Sequence, residues 1–346
     1  MFPVGFEKSQ AVPCICACHS DVGIPGDFEH DARTQWGGFH MSRSVVVASA
    51  AAFLLLGTVA HAQGQRDFSD VPTKATPLDN GRYMLGGHGG TITGAVTAQG
   101  IIRLDDEFAP LAGKINAAIT AINPGKIRYR ITTHHHGDHA SGNADFVKDG
   151  VTIISQENLR SRLAGTSLNN QGAAAAAAAA EALPIVIFKD AMNSGLGGKN
   201  ADVVHVPRSR TDGAPFIHFR NGFATGDILS SSGFTNIDVR NGGALDGMIA
   251  MQQNLRPVAN DDTKIVPGPG PLAKRADIIG FRDRFRTSRD RAEKLVAAGK
   301  TEGEAIAAKP LADLEMTWKL EMTWKSDDAN REAFTRLVDW SIKTRS

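Results

Sequence analysis

The segment His134-His135-His136-Gly137-Asp138-His139 packs four histidines and a carboxylate into six residues. Neutral imidazole and carboxylate are the ligands that borderline divalent metals prefer, zinc above all. In an extended chain the His-x-His spacing lets His134 and His136 converge on one ion. Asp138 and His139, one turn further on, can face a second ion. Without metal, such a loop would stack like charges whenever it protonated, near an ordinary histidine pKa of about 6.5. His135 points away from its two neighbours in the extended reading, toward the surface or behind the ligands.

The residues before the cluster must hold it in place. Ile127–Thr133 is rich in β-branched residues and reads as a strand running straight into the histidines. Upstream, Tyr83–Leu85, Thr91–Thr97 and Ile101–Leu104 read as short strands, separated by the glycine-rich run Gly86 to Gly90 and a turn at Gln99-Gly100. Leu111–Ala121 carries apolar residues at helical spacing and ends at Asn123-Pro124-Gly125. Downstream, a helix near Ala144–Lys148, a strand Val151–Ser155 and a helix Glu157–Leu163 are expected. Strands then resume at Ile185–Phe188, Val203–Val206, Phe216–Phe219, Phe223–Thr225 and Lys264–Val266, before a long amphipathic helix Arg275–Ala298. This order predicts an α/β protein of two βα halves packed sheet to sheet.

Two segments interrupt the pattern. Residues 165–183 include eight consecutive alanines, Ala173–Ala180, and read as an inserted surface segment without function. Alanine favours helix, but a pure alanine run has no amphipathic face to dock. The six residues Leu314–Lys319 recur as Leu320–Lys325 within a tail, 310–346, that is expected to be helical. A period of six is too short for a solenoid unit.

Composition narrows the function. The 346 residues carry 38 Lys+Arg against 37 Asp+Glu, so no basic face suits nucleic acid. With 42% hydrophobic and 22% charged residues the chain is globular rather than disordered. Met41-Ser-Arg-Ser, the apolar run Val45–Val59 and Ala60-His61-Ala62 form a secretory leader over 41–62. The run is short for a membrane span, which needs about 20 residues. Residues 1–40 are acidic where a leader is basic, and read as an upstream extension from a misplaced start. The three cysteines, Cys14, Cys16 and Cys18, leave with it. The expected functional chain is therefore a single domain over 63–346, periplasmic or secreted, without stable membrane insertion. It must build any site from histidine and carboxylate.

The stretch Thr133 to Asn143, reading Thr-His-His-His-Gly-Asp-His-Ala-Ser-Gly-Asn, resembles the His-x-His-x-Asp-His signature of the metallo-β-lactamase superfamily. Gly87–Gly90 looks like that family's glycine loop, and Leu104 to Pro110 like the strand end that follows it. Val206 to Gly213, Thr225-Gly226-Asp227 and Val266 to Leu272 resemble three later motifs in the expected order, so the likeness runs from about residue 80 to 310. It implies a four-layer αββα sandwich with the metal site at one sheet edge. It also implies a metal-dependent hydrolase acting on a small-molecule ester, lactam, lactone or thioester. By resemblance, His134 and His136 would bind a first zinc ion, Asp138 and His139 a second, and Asp227 would bridge the two or sit on the second. Asp138 would also orient the attacking hydroxide. Iron or manganese would suit the same His/Asp shell.

The likeness breaks at two ligands. Arg210 and Pro269 stand where the family places histidines, and no histidine follows His218 in the sequence. Neither replacement offers a lone pair to an ion. One ion or two remain open for the surviving shell. The paired loss also supports a competing expectation: a catalytically impaired relative that keeps the fold and binds one metal or a small anionic ligand. Arg210 is expected to pair with Asp227 or Asp138 in a metal's electrostatic place. His88, on the glycine loop, is a substitute site residue only if that loop folds over the site. His205 and His218 alternate with apolar residues and are expected to be structural.

Overall fold

The computed structural model describes residues 68–71, 73–87, 90–168, 174–231, 236–316 and 336. All lie in the unit Arg66–Ser346. The expected leader and upstream extension, His88 and most of the hexapeptide repeat fall outside the described residues.

The first sheet has seven strands in chain order: β1 (Ala75–Pro77), β2 (Arg82–Gly86), β3 (Thr91–Thr97), β4 (Gly100–Leu104), β5 (Ile127–Ile131), β6 (Thr152–Gln156) and β7 (Val186–Phe188). Strands β1 to β4 form an antiparallel meander, and β4 to β7 are parallel. The second sheet contains β8 (Ala191–Leu196), β9 (Lys199–His205), β10 (Pro215–Phe219), β11 (Gly222–Ala224) and β12 (Lys264–Val266), in the order β12-β11-β10-β9-β8. Only its β11–β12 pair is parallel.

The alternation of apolar residues on these strands decides the layering. Ile102, Leu104, Ile131 and Ile154 from the first sheet pack against Val203, Ile217, Phe219 and Val266 from the second. The opposite face of the first sheet, with Leu85, Ile92 and Ile101, buries Ile115 and Ile119 of helix α1 (Ala112–Ile122). Three short helices follow in the first half: α2 (Gly137–Ala140), α3 (Asn143–Lys148) and α4 (Glu157–Ser161). On the far side of the second sheet, Phe216, Phe223 and Ile265 meet Met248 and Met251 of α5 (Leu245–Leu255) and Phe281 and Phe285 of α6 (Arg275–Ala297). Helix, sheet, sheet, helix is the expected αββα sandwich.

The strand ends of β4, β5, β9, β11 and β12 open at one edge, and every charged group of the site sits on the loops that leave them. Among the described residues, no helix is long and apolar enough to cross a membrane. The tail begins with α7 (Glu302–Ala307) and α8 (Ala312–Met316).

Among the described residues of the inserted segment, Ala174–Ala179 forms no helix, and a 3-10 turn follows at Ala180–Ala182. Its backbone donors are taken by other chain segments: Ala175 N–H donates to the Ser167 carbonyl (2.9 Å) and Ala178 N–H to Leu163 (2.8 Å). Alanine's helix propensity is worth only tenths of a kilocalorie per residue, so tertiary hydrogen bonds override it.

Candidate metal centre

Strand β5 ends at Ile131, and the chain bends at His135 and His136 before α2 begins. His139 and Ala140 both donate their N–H to the His136 carbonyl, at 3.0 and 2.9 Å. That tight turn folds His139 back over His134, with ring centroids 4.0 Å apart. Asp227 arrives from the turn Gly226–Ile228 after β11. Its close seat requires glycine at 268, where a Cβ would overlap an Asp227 carboxylate oxygen.

His134, His139 and Asp227 form one buried group whose ligand atoms lie within 4.8 Å of one another. Nε2 of His139 is 3.3 Å from Asp227 Oδ1, and Nε2 of His134 is 3.7 Å from Asp227 Oδ2. Both Nε2 atoms are buried without a hydrogen-bond partner.

Their other nitrogens explain the orientation. Asp105, at the end of β4, accepts from His139 Nδ1 (2.9 Å), from Thr133 Oγ1 (2.6 Å) and from the Thr133 amide (2.7 Å). Thr133 Oγ1, having given its proton to Asp105, is free to accept from His134 Nδ1 at 3.2 Å. Both rings therefore turn Nε2 toward Asp227. A carboxylate behind the histidine fixes the tautomer and raises ligand basicity. Asp105 holds this position at φ +56°, a left-handed conformation that aspartate tolerates better than most residues.

Burial, with His139, His136 and Arg210 nearby, pushes His134 well below its ordinary pKa and keeps it neutral. Burial opposes charge on His139 too, but Asp227, Asp105 and Asp138 together raise it well above the usual range. Burial would raise Asp227 as well, yet His139 and Arg210 hold it at about 2. The pocket is built to stabilise positive charge at His139 Nε2, whether as a proton or an ion. Asp138 is partly exposed, its Oδ2 3.6 Å from His139 Nε2. These residues fit one divalent ion, held by His134, His139 and Asp227 with Asp138 beside it.

They do not extend to a second. Arg210 Nη2 lies 3.2 Å from Asp227 Oδ2 and donates to His136 Nδ1 at 2.8 Å, while Nη1 donates to the Asn236 carbonyl. A guanidinium has only donors, so His136 Nδ1 must accept. Its proton is then on Nε2, which donates to Asp238 Oδ2 at 2.7 Å. In this arrangement His136 has no lone pair left for an ion; His135, His136 and Asp238 nonetheless form a second group whose ligand atoms lie within 4.8 Å of one another, close enough to hold an ion if Arg210 released His136. Arg210 thus pairs with Asp227, as the sequence led one to expect. Pro269 contributes only its carbonyl, which accepts from Ser231 N–H at 3.0 Å.

His135 is not at the surface. Its side chain is buried, with Nε2 3.7 Å from Asp238, and burial beside His136 lowers it to about 3. Asp238, missed in the sequence, is held at about 2 against the upward push of burial by hydrogen bonds from His136 and Asn241. Asp105 was also missed as a site residue; its signal was its place at the end of β4, next to the glycine loop. His205 is structural, with Nε2 2.7 Å from the Asp212 carbonyl. His218 stacks on Phe223 in the neighbouring strand at 4.7 Å.

Two sandwiched sheets, with the histidine cluster after β5 and an aspartate after β11 at one edge, define the architecture. The sequence profile of the metallo-beta-lactamase superfamily matches residues 93–270, and the chain belongs to that superfamily. Among solved structures it is similar to a metallo-beta-lactamase from Pontibacter korlensis, at 15% identity and TM-score 0.50, covering 62% of this chain and 99% of that one. The metallo-beta-lactamase IND-7 aligns at 15% identity and TM-score 0.51, over 64% of this chain and 100% of its own. The stereoselective inverting sec-alkylsulfatase Pisa1 from Pseudomonas sp. gives TM-score 0.57 at 14% identity; 77% of this chain spans 50% of that protein. Identities this low establish the shared fold. A search of curated proteins finds no significant match.

Proposed function

We propose that the chain is an exported hydrolase of small-molecule carbonyl substrates with a single divalent ion, zinc or a metal of similar preference, held by His134, His139 and Asp227. The observation that carries this reading is the pair of buried Nε2 atoms, without hydrogen-bond partners, turned on one carboxylate. A bound ion would polarise a carbonyl and lower the pKa of water to about 7. Asp138, the partly exposed carboxylate beside His139, accepts the proton of the attacking water and returns it to the leaving alkoxide, amine or thiolate. Asp105 holds His139 in its tautomer, and Arg210 offsets the charge of Asp227 and fixes His136. Export to the periplasm or beyond is supported by the leader pattern of 41–62.

Mass spectrometry of the zinc-loaded protein is expected to find one ion per chain, with turnover on an ester, lactone, lactam or thioester panel. Asp227→Ala should lose the ion. An apo wild type after loading, or uptake unchanged in Asp227→Ala, would refute the assignment. Asp105→Asn is expected to weaken metal affinity about 10–100-fold, measured by competition with a chelator. Undiminished affinity would show that His139 needs no carboxylate behind it. The pairing of Arg210 with Asp227 also favours a second reading, a relative that binds one ion or a small anion without turnover. Uptake of one ion with no hydrolysis across the panel would select it.

A further inference from the structure

The inserted segment borders a cavity of about 610 Å³ that ends on His135, His136 and Asp238. Cavities of 300–1,000 Å³ with apolar walls and a few placed polar groups are the usual form of small-molecule sites. Leu168, Ala175, Ala178 and Ala182 supply apolar lining from this segment, Leu163 adds to it from the turn before, and Ala140 and Ala144 supply more from the helices that follow the histidines. Methyl side chains leave the space wide and have no rotamers to freeze when a ligand enters.

The wall is fastened to the polar end. Asn241 Oδ1 accepts from the Leu168 amide (2.8 Å), and Asn241 Nδ2 donates to the Leu168 carbonyl (2.9 Å) and to Asp238 Oδ2 (2.7 Å). Asp238 in turn accepts from His136, whose ring stands 4.6 Å from that of His134. His136 thus stands between the cavity and the group of His134, His139 and Asp227, which are not among the described residues lining it.

Its charges select against anions. Among the described residues lining the cavity, Arg162 is the one arginine or lysine, and it is committed. Nη2 and Nε bind the Asp212 carboxylate at 2.6 and 3.3 Å, and Nη1 binds the Thr166 carbonyl. Asp238 leaves a carboxylate at the polar end. A ligand carboxylate would meet that negative charge without an available cation. An aliphatic body would instead bury against the alanine wall, gaining roughly 25 cal/mol per Å² of apolar surface.

We infer that this cavity is the substrate-body subsite, taking an uncharged ester or lactone with an aliphatic body and disfavouring carboxylate-bearing lactams. The inference rests on the hydrolase reading for the word substrate, but its binding step can be tested without turnover. The full chain, treated with chelator to prevent hydrolysis, is titrated with the neutral fluorophore N-phenyl-1-naphthylamine. Ethyl octanoate and octanoate, which share a body and differ in charge, then compete for it.

The ester is expected to displace the probe at a concentration at least about tenfold lower than the carboxylate. Ala175→Phe and Ala178→Phe should each weaken probe binding about tenfold or more while retaining a cooperative melt. Ala179→Phe, at an exposed lining position, serves if either half-buried variant fails to fold. Equal displacement by octanoate, or folded phenylalanine variants that bind as wild type does, would overturn the subsite. A metal-loaded wild type that binds the probe yet leaves ethyl octanoate intact would count against the hydrolase reading alone. Ester hydrolysis unaffected by the alanine variants would count against the subsite alone.

Discussion

Replacing Asp106 by alanine is expected to remove about 3–5 kcal/mol of folding free energy, because it strands two buried guanidinium groups. Arg103, Arg130 and Asp106 are all fully buried. Arg103 Nη2 lies 2.5 Å from Asp106 Oδ1, and Arg130 Nη1 lies 3.8 Å from Oδ2. Both guanidinium groups also rest on the Phe146 ring, 4.6 and 4.8 Å from its centroid. Burial, with Arg103 nearby, holds Arg130 down at about 10 even with Asp106, the largest influence raising it, in place.

Gly142 presses so closely that a Cβ there would overlap Asp106 Oδ2. The loss would reach the metal centre as well, since Arg130 Nη2 donates to the His139 carbonyl at 2.6 Å. Denaturant unfolding measures the effect directly, and a thermal melt should fall by roughly 6–20 °C for a domain of this size. A loss below about 1 kcal/mol would show that the arginines find other partners and that Asp106 is not their anchor.

The second large effect concerns ion count. The double substitution Arg210→His with Pro269→His is expected to raise bound zinc from one to two ions per chain. Removing the guanidinium frees His136 Nδ1, withdraws a positive charge 3.2 Å from Asp227, and puts an imidazole in its place. The second histidine enters next to Gly268, the residue packed on Asp227. A guanidinium and a divalent ion at one place repel, whereas two neutral imidazoles and a shared carboxylate are a normal zinc shell. Mass spectrometry under native conditions counts the ions. A double variant that still holds one would mean that the loops, and not the two side chains, set the stoichiometry.

Much of this architecture was legible in the chain. Thr91–Thr97 and Lys264–Val266 were placed at their observed bounds, and α1 and α6 within a residue, because apolar alternation or helical spacing is a local property. Strands β1 and β8 and helix α5 were not anticipated. Ala191–Leu196 contains little that favours a strand and is held by pairing with β9. Leu245–Leu255 follows two glycines and contains a third, so its pattern is weak until Met248 and Met251 find the second sheet.

At the site, the histidine cluster, Asp227 and the two missing ligands were readable because they are matters of residue identity. Identity alone could not say how the ligands group. His136 and Asp238 are 102 residues apart, and His136 and Arg210 are 74 apart. Two equal neighbours of the same backbone turn, His134 and His136, end with opposite roles. One keeps a lone pair on Nε2 because its proton sits on Nδ1, which donates to Thr133 Oγ1; the other loses both nitrogens to Arg210 and Asp238.

By itself, then, the sequence pointed to a histidine and carboxylate cluster on a two-sheet scaffold, and left open whether its ligands hold one ion or two. The tertiary structure alone decided that His139 joins His134, that Arg210 stands beside Asp227, and that a non-helical alanine run borders the cavity beside His136. Hydrogen-bond partners across many tens of residues are chosen by packing, and packing is not written in local periodicity.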